Sequence, residues 1–245
     1  MDQNGDYNTD LFLTSIDKYD SQDYVYYFIS EFSDMVRYHF NPSELDVDKC
    51  IAVAGKLEKM LSKYGINGRY IESYGRYFSI MDYNEVEAKL NLTIAIMYNK
   101  LLKFDTAYMY LSLMFESLKS MLHKTSADDL DTERSVRIRD YIFFANHMLD
   151  GQLVVPLLYS FIKFLRKTFN ITDDLDERMY SYYKSLVTAA EHACSECEKN
   201  GMSFNAEEFS ENDPRGLFKS KEDYTKLIKE FSNLFHQISG QEYYP

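Results

Sequence analysis

Residues 89–118, KLNLTIAIMYNKLLKFDTAYMYLSLMFESL, carry apolar side chains at helical spacing on both sides of one short polar break. Leu90, Ile94, Met97 and Leu101 share one face of the first run, and Tyr108, Leu111, Phe115 and Leu118 one face of the second. Only KFDTA separates them, with Asp105 or Thr106 expected to cap the second helix. The segment therefore predicts an antiparallel helical hairpin. Two amphipathic helices cannot bury both apolar stripes against each other alone, so further hairpins must stack on this one. The chain offers strands little support: its 245 residues include 9 Gly and 4 Pro, which starves it of tight turns, while 45% apolar residues suffice for a packed core. The expected fold is all-α, with antiparallel helical hairpins stacked into a bundle or solenoid of about nine helices plus a C-terminal helix.

Caps and breaks divide the rest. Helices are expected over Asp10 to Ile16, Asp23 to Tyr38 and Leu45 to Tyr64, with Ser43 as a cap ahead of Asp46 and Gly65 suited to a left-handed C-terminal position. A fourth helix is expected over Arg69 to Met81, then the hairpin at Asn84 to Leu102 and Asp105 to His123. Thr132 to Leu149 and Leu153 to Phe169 follow, and Pro156 requires a place in the first turn. Leu175 to Lys199 completes nine helices, and no strand is expected. Residues 1–199 form the stacked domain, 200–220 a linker, and 221–245 a C-terminal helix (Lys221 to Ile238) and tail.

A net charge of −12 opposes binding to phosphate backbones, so nucleic acid is not an expected partner. No apolar run reaches membrane-span length, and the acidic start MDQNGDYNTDLF lacks the pattern of a signal peptide. Cys50, Cys194 and Cys197 are too few for a disulfide framework, so a reducing, cytoplasmic setting is expected and the sequons at Asn91 and Asn170 are chance matches. With 22 Tyr and no Trp, many aromatic rings should lie at partly wet positions.

No catalytic constellation is visible. His39, His123, His147, His192 and His236 fall on separate elements, without the i, i+4 pairing of a helical zinc site. The CSEC at Cys194–Cys197 has no second ligand pair and lies near a helix end, so its cysteines read as structural. Phosphate-loop, dinucleotide and nucleophile-elbow motifs are absent. The acidic pairs Asp128–Asp129 and Asp173–Asp174 precede helices, where they offset the dipole. No enzyme activity, cofactor or metal is expected.

The sharper feature is an asymmetry of charge. Lys18 is the only basic residue among the first 35, whereas the third helix carries Lys49, Lys56, Lys59 and Lys63. Lys49, Lys56 and Lys63 recur every seven residues and share one face. Such a row is either a solvated face paired with nearby carboxylates or a basic strip that attracts an acidic or phosphorylated segment.

Two families resemble this chain. NLTIAIMYNKLLKFDTAYMYL resembles a tetratricopeptide unit, with Ala95, Tyr98 and Ala107 where small and aromatic residues are expected, although the match does not recur every 34 residues. The 14-3-3 family is similar in length, acidity and nine-helix layout. DKYDSQDYVYY resembles its first interhelical junction, AVAGKL around Lys56 its first phosphate-binding segment, and VRIRDYIFFANHMLDG its seventh helix. That resemblance implies phosphate binding by Lys56 and Lys63, a hydrogen bond from Tyr98, peptide contact near Asn146, and a dimer through the N-terminal helices. Met97 stands where the family has an arginine, and a second register would instead place the phosphate motif at Arg76–Tyr77.

The expected function is a non-enzymatic adaptor that binds phosphorylated or acidic segments of partner proteins in a helical groove. The alternative is a tetratricopeptide-like scaffold that binds unphosphorylated peptides or helices through apolar pockets.

Overall fold

A computed structural model describes residues 8–43, 46–74, 77–123 and 132–169, together with positions 199, 231 and 233. The helices expected over Leu175 to Lys199 and Lys221 to Ile238, the linker between them, and Cys194, Cys197, His192 and His236 lie outside the described residues, apart from those three positions. The described residues form seven α-helices and one two-stranded sheet: α1 (Thr9–Lys18), α2 (Val25–Asp34), α3 (Val47–Tyr64), β1 (Tyr70–Tyr74), β2 (Tyr77–Met81), α4 (Tyr83–Lys100), α5 (Phe104–His123), α6 (Thr132–Met148) and α7 (Gly151–Thr168). Among them no helix is long and apolar enough to cross a membrane.

The hairpin of the opening segment is present as α4 and α5, but α4 is not amphipathic. Leu90 to Met97 are buried without a break, Asn91 and Thr93 included, because α2, α3, α5 and α6 all pack on this helix. Thr93 satisfies its hydroxyl by donating to the Lys89 carbonyl. The α5 helix does keep one face: Leu111, Met114, Phe115, Leu118 and Leu122 are buried, while Met109 and Leu113 face water. Leu102 closes the connection at φ 57°, and Lys103 N donates to the Tyr98 carbonyl at 2.9 Å. Helix α5 starts at Phe104, with Ala107 N bonded to the Lys103 carbonyl, so Asp105 strengthens the first turn rather than capping it. Further packing pairs α1 with α3, α2 with α4, α4 with α6 and α5 with α7. Phe231 is buried against Phe161 and Phe143.

Four local expectations are corrected. Residues 69–81 form no helix: Tyr70–Tyr74 and Tyr77–Met81 pair antiparallel, with Ile71 opposite Ile80. YIESY and YFSIM are rich in aromatic and β-branched residues, and in the sequence Gly75–Arg76 is a two-residue break between them. Helix α3 is capped by Asp46, whose side chain accepts from Lys49 N, while Ser43 bonds Asn41. Gly65 has φ −68°, so handedness does not require glycine. A Cβ there would lie 2.7 Å from both Leu61 and Tyr83, so glycine answers the close approach of Tyr83. Pro156 falls in the second turn of α7, beyond the first-turn position it favours. That turn is fully buried at Val154, Val155 and Leu158, and this packing offsets the lost backbone bond.

Helix α2 runs into a π-helical turn at Met35–His39. Lys100, at the end of α4, donates to the carbonyls of Val36 (2.6 Å) and Arg37 (3.2 Å), supplying positive charge where helical carbonyls lack partners.

Candidate functional site

The heptad row on α3 has its counterpart on α1. Lys49 bonds Asp10 (2.7 Å), Lys56 bonds Asp17, and Lys63 bonds Asp20 (3.0 Å). Asp10 and Asp17 are also seven residues apart, so the two helices run parallel in matching register. The hydrogen bond to Asp10 holds the Lys49 ammonium pKa up; contacts with Tyr64 and then Asp20 do the same for Lys63. Tyr64 Oη also donates to the Asp20 carbonyl, tying the turn after α1 to the end of α3.

The sequence-derived site residues do not converge on one spot. Lys56 faces α1 and Lys63 the turn that follows it. Tyr98 stacks on Tyr110 with centroids 5.9 Å apart, and its pKa is raised by burial and by nearby Glu58. Glu58 is two residues, about 200° of helix rotation, from Lys56. The tyrosine pair therefore meets a carboxylate from the other side of α3. Asn146 lies on α6, half-buried, and its Oδ1 has no hydrogen-bond partner among the described residues. Met97 is fully buried, so an arginine there would enter the core instead of meeting a ligand. Tyr77 of the second register opens β2 rather than lying on a helix. His39 and His147 are exposed on separate elements. No group of three or more His, Cys, Asp or Glu among the described residues could hold a metal ion.

Two concave features emerge that the sequence did not reveal. The first is a groove of about 440 Å³ between α1 and α2. Its aromatic floor is Phe12 edge-on to Phe28 (5.6 Å), with Tyr24 and Tyr27 against Phe28 at 6.0 and 5.5 Å and Tyr19 against Tyr24 at 5.1 Å. Leu11 and Tyr27 project from its walls, 58% and 54% exposed. Among the described residues its only charged lining residue is Glu31.

The second is a polar cavity of about 470 Å³ among α2, the π turn, β1, α4 and α6. Lys89 Nζ donates to Tyr26 Oη (3.0 Å), Ser30 Oγ (3.0 Å) and Glu72 Oε1 (3.4 Å), and Tyr26 Oη donates to the same carboxylate. Burial pushes the Lys89 pKa down, partly opposed by Glu72. Arg137 reaches Glu85 at 3.1 Å and the Ile80 carbonyl at 3.5 Å. Arg37 lies over the Phe144 ring, 3.8 Å from its centroid. Glu72 and Ser79 share the inward face of the β-hairpin with buried Tyr70 and Met81 while Ile71, Phe78 and Ile80 face water, and Lys89 and Tyr26 make the inward Glu72 carboxylate tolerable.

No protein family, curated protein or solved structure matches this chain.

Proposed function

We propose that this protein is a non-enzymatic interaction adaptor whose partner contact is the aromatic groove between α1 and α2. The observation that carries this reading is the exposure of Leu11, Tyr19, Tyr24 and Tyr27 around one apolar floor. Tyrosine-rich clusters of this kind supply large contact area at low entropic cost and form the energetic centres of protein interfaces. Packing of α1 on α3, α2 on α4, α4 on α6 and α5 on α7 supports a stack of helical hairpins of tetratricopeptide kind. The occupant that fits is an amphipathic helical segment with two or three apolar anchors and flanking Lys or Arg. Asp23 and Glu31 form no ion pair among the described residues of this acidic N-terminal region, where Lys18 is the single basic residue up to position 35.

The test uses fluorescence anisotropy with a helical peptide carrying Leu or Phe at i, i+4 and i+7 and flanking lysines. The same peptide with flanking glutamates serves as control. The basic peptide should bind, and Leu11→Ala and Tyr27→Ala should each weaken it about tenfold, as interface anchors do. Binding of neither peptide, or binding indifferent to both substitutions, would sink the reading. A dimer that the same substitutions dissociate would assign the face to self-association instead.

A phosphorylated or acidic ligand is the second reading, and the internal pairs of Lys56 with Asp17 and Lys63 with Asp20 weigh against it. An incoming phosphate would have to displace Asp17 and Asp20. Lys56→Glu with Lys63→Glu should then abolish binding of an acidic phosphopeptide that wild type binds.

A further inference from the structure

Arg37 differs in its partners from the other basic residues of the polar cavity. Of the other two basic side chains of the polar cavity, Lys89 lies against Glu72, and Arg137 against Glu85 and the Ile80 carbonyl. Among the described residues Arg37 forms no ion pair, and its Nε is buried without a hydrogen-bond partner. A buried donor left unsatisfied costs free energy. The side chain is also held in position: it lies in the π-helical turn, Lys100 clamps the carbonyl of its own residue, and Phe144 supports the guanidinium. Turns of this type concentrate at functional sites. A guanidinium held against a ring presents its planar fork, the geometry that matches a carboxylate or phosphoryl group.

The surrounding charges narrow the ligand. Lys89 adds positive potential, but all three of its donors are engaged, so Arg37 is the gripping group. Asp34 and Asp140 line the same cavity and would repel a bare anion. A ligand that also carries an amino group turns that repulsion into attraction. The cavity, about 470 Å³, falls within the range of small-molecule sites. We propose that this cavity binds a small zwitterion, its oxyanion on Arg37 and its amino group toward Asp34 and Asp140.

The test is calorimetric titration of the full chain with four probes: glutamate, phosphoethanolamine, inorganic phosphate and ethanolamine. Glutamate or phosphoethanolamine should bind saturably, and whichever binds tells carboxylate from phosphoryl. Inorganic phosphate should bind more weakly and ethanolamine not at all. Arg37→Met should weaken the zwitterion at least about tenfold, and Arg37→Lys by less, since it keeps the charge and loses the fork. The lysine variant also carries the test if the methionine variant does not fold. Leu11→Ala and Tyr27→Ala should leave zwitterion binding unchanged, which separates this site from the α1–α2 groove. Absence of saturable heat from both zwitterions up to about 10 mM, or undiminished binding by both Arg37 variants, would overturn the proposal.

Discussion

Glu85→Gln removes a carboxyl that folding carries from water into the contact between α4 and α6. The Glu85 side chain is 3% exposed, and Arg137 beside it 12%. Burial pushes the carboxyl up from 4.5 to about 8, with Arg137 pulling it down only in part. The 3.1 Å approach of Arg137 argues for an ionised pair, and the near-complete loss of water argues against it; burial is the larger effect here. Between those two pH values the folded chain keeps a proton that the unfolded chain has released. Stability therefore falls as pH rises, being fully present below 4.5 and lost through about 8. At about 1.4 kcal/mol per pH unit, this range corresponds to on the order of 5 kcal/mol, about two-thirds of it already lost at pH 7. The glutamine variant would carry no such dependence. Urea unfolding of wild type and variant, followed by circular dichroism at pH 5, 7 and 9, isolates the effect, because other titrating groups cancel in the difference. The variant should gain on wild type by several kcal/mol between pH 5 and 9. A difference that stays flat with pH would show that Arg137 keeps Glu85 ionised and that the burial argument is wrong.

Met97→Arg should destabilise the fold by about 3–5 kcal/mol, since it strands a charge in the fully buried centre of α4; a urea midpoint equal to wild type would refute that burial. Joint reversal of Lys49, Lys56 and Lys63 to Glu should lower the thermal midpoint at low salt and converge on wild type in about 1 M salt, where exposed charges are screened. A midpoint loss that salt leaves untouched would mean that the lysines do more than pair with α1. Cys50 is buried, and that burial pushes its thiol up to about 11, so in a Cys194→Ser, Cys197→Ser background it should react with an aromatic disulfide reagent only on unfolding. Rapid labelling of the native protein at neutral pH would contradict this placement.

Legibility in the sequence followed the range of the interactions. The α4–α5 hairpin was readable because its apolar spacing and short polar break are local, and the ends of α6 fell close to expectation for the same reason. Residues 69–81 misled because a short aromatic run suits either period, and the inward face mixes Tyr70 and Met81 with Glu72 and Ser79 while Ile71, Phe78 and Ile80 face water. The inward Glu72 depends on Tyr26 and Lys89, which are distant in sequence. The Gly75–Arg76 break between YIESY and YFSIM was the available signal.

The amino-acid order alone determined that the chain is mostly helical, and it laid down matching heptad charges on α1 and α3, since both are set by spacing along a single element. It could not say that those charges face each other, because a row of lysines reads the same whether it meets water, a ligand or Asp10, Asp17 and Asp20. Only tertiary structure made α4 the central helix, buried on every side by four neighbours. Only tertiary structure carried Arg37 from the end of α2 onto Phe144 of α6 and left its Nε without a hydrogen-bond partner among the described residues. Burial and electrostatic pairing depend on which surfaces meet, and that information lies in contacts between segments far apart in the chain.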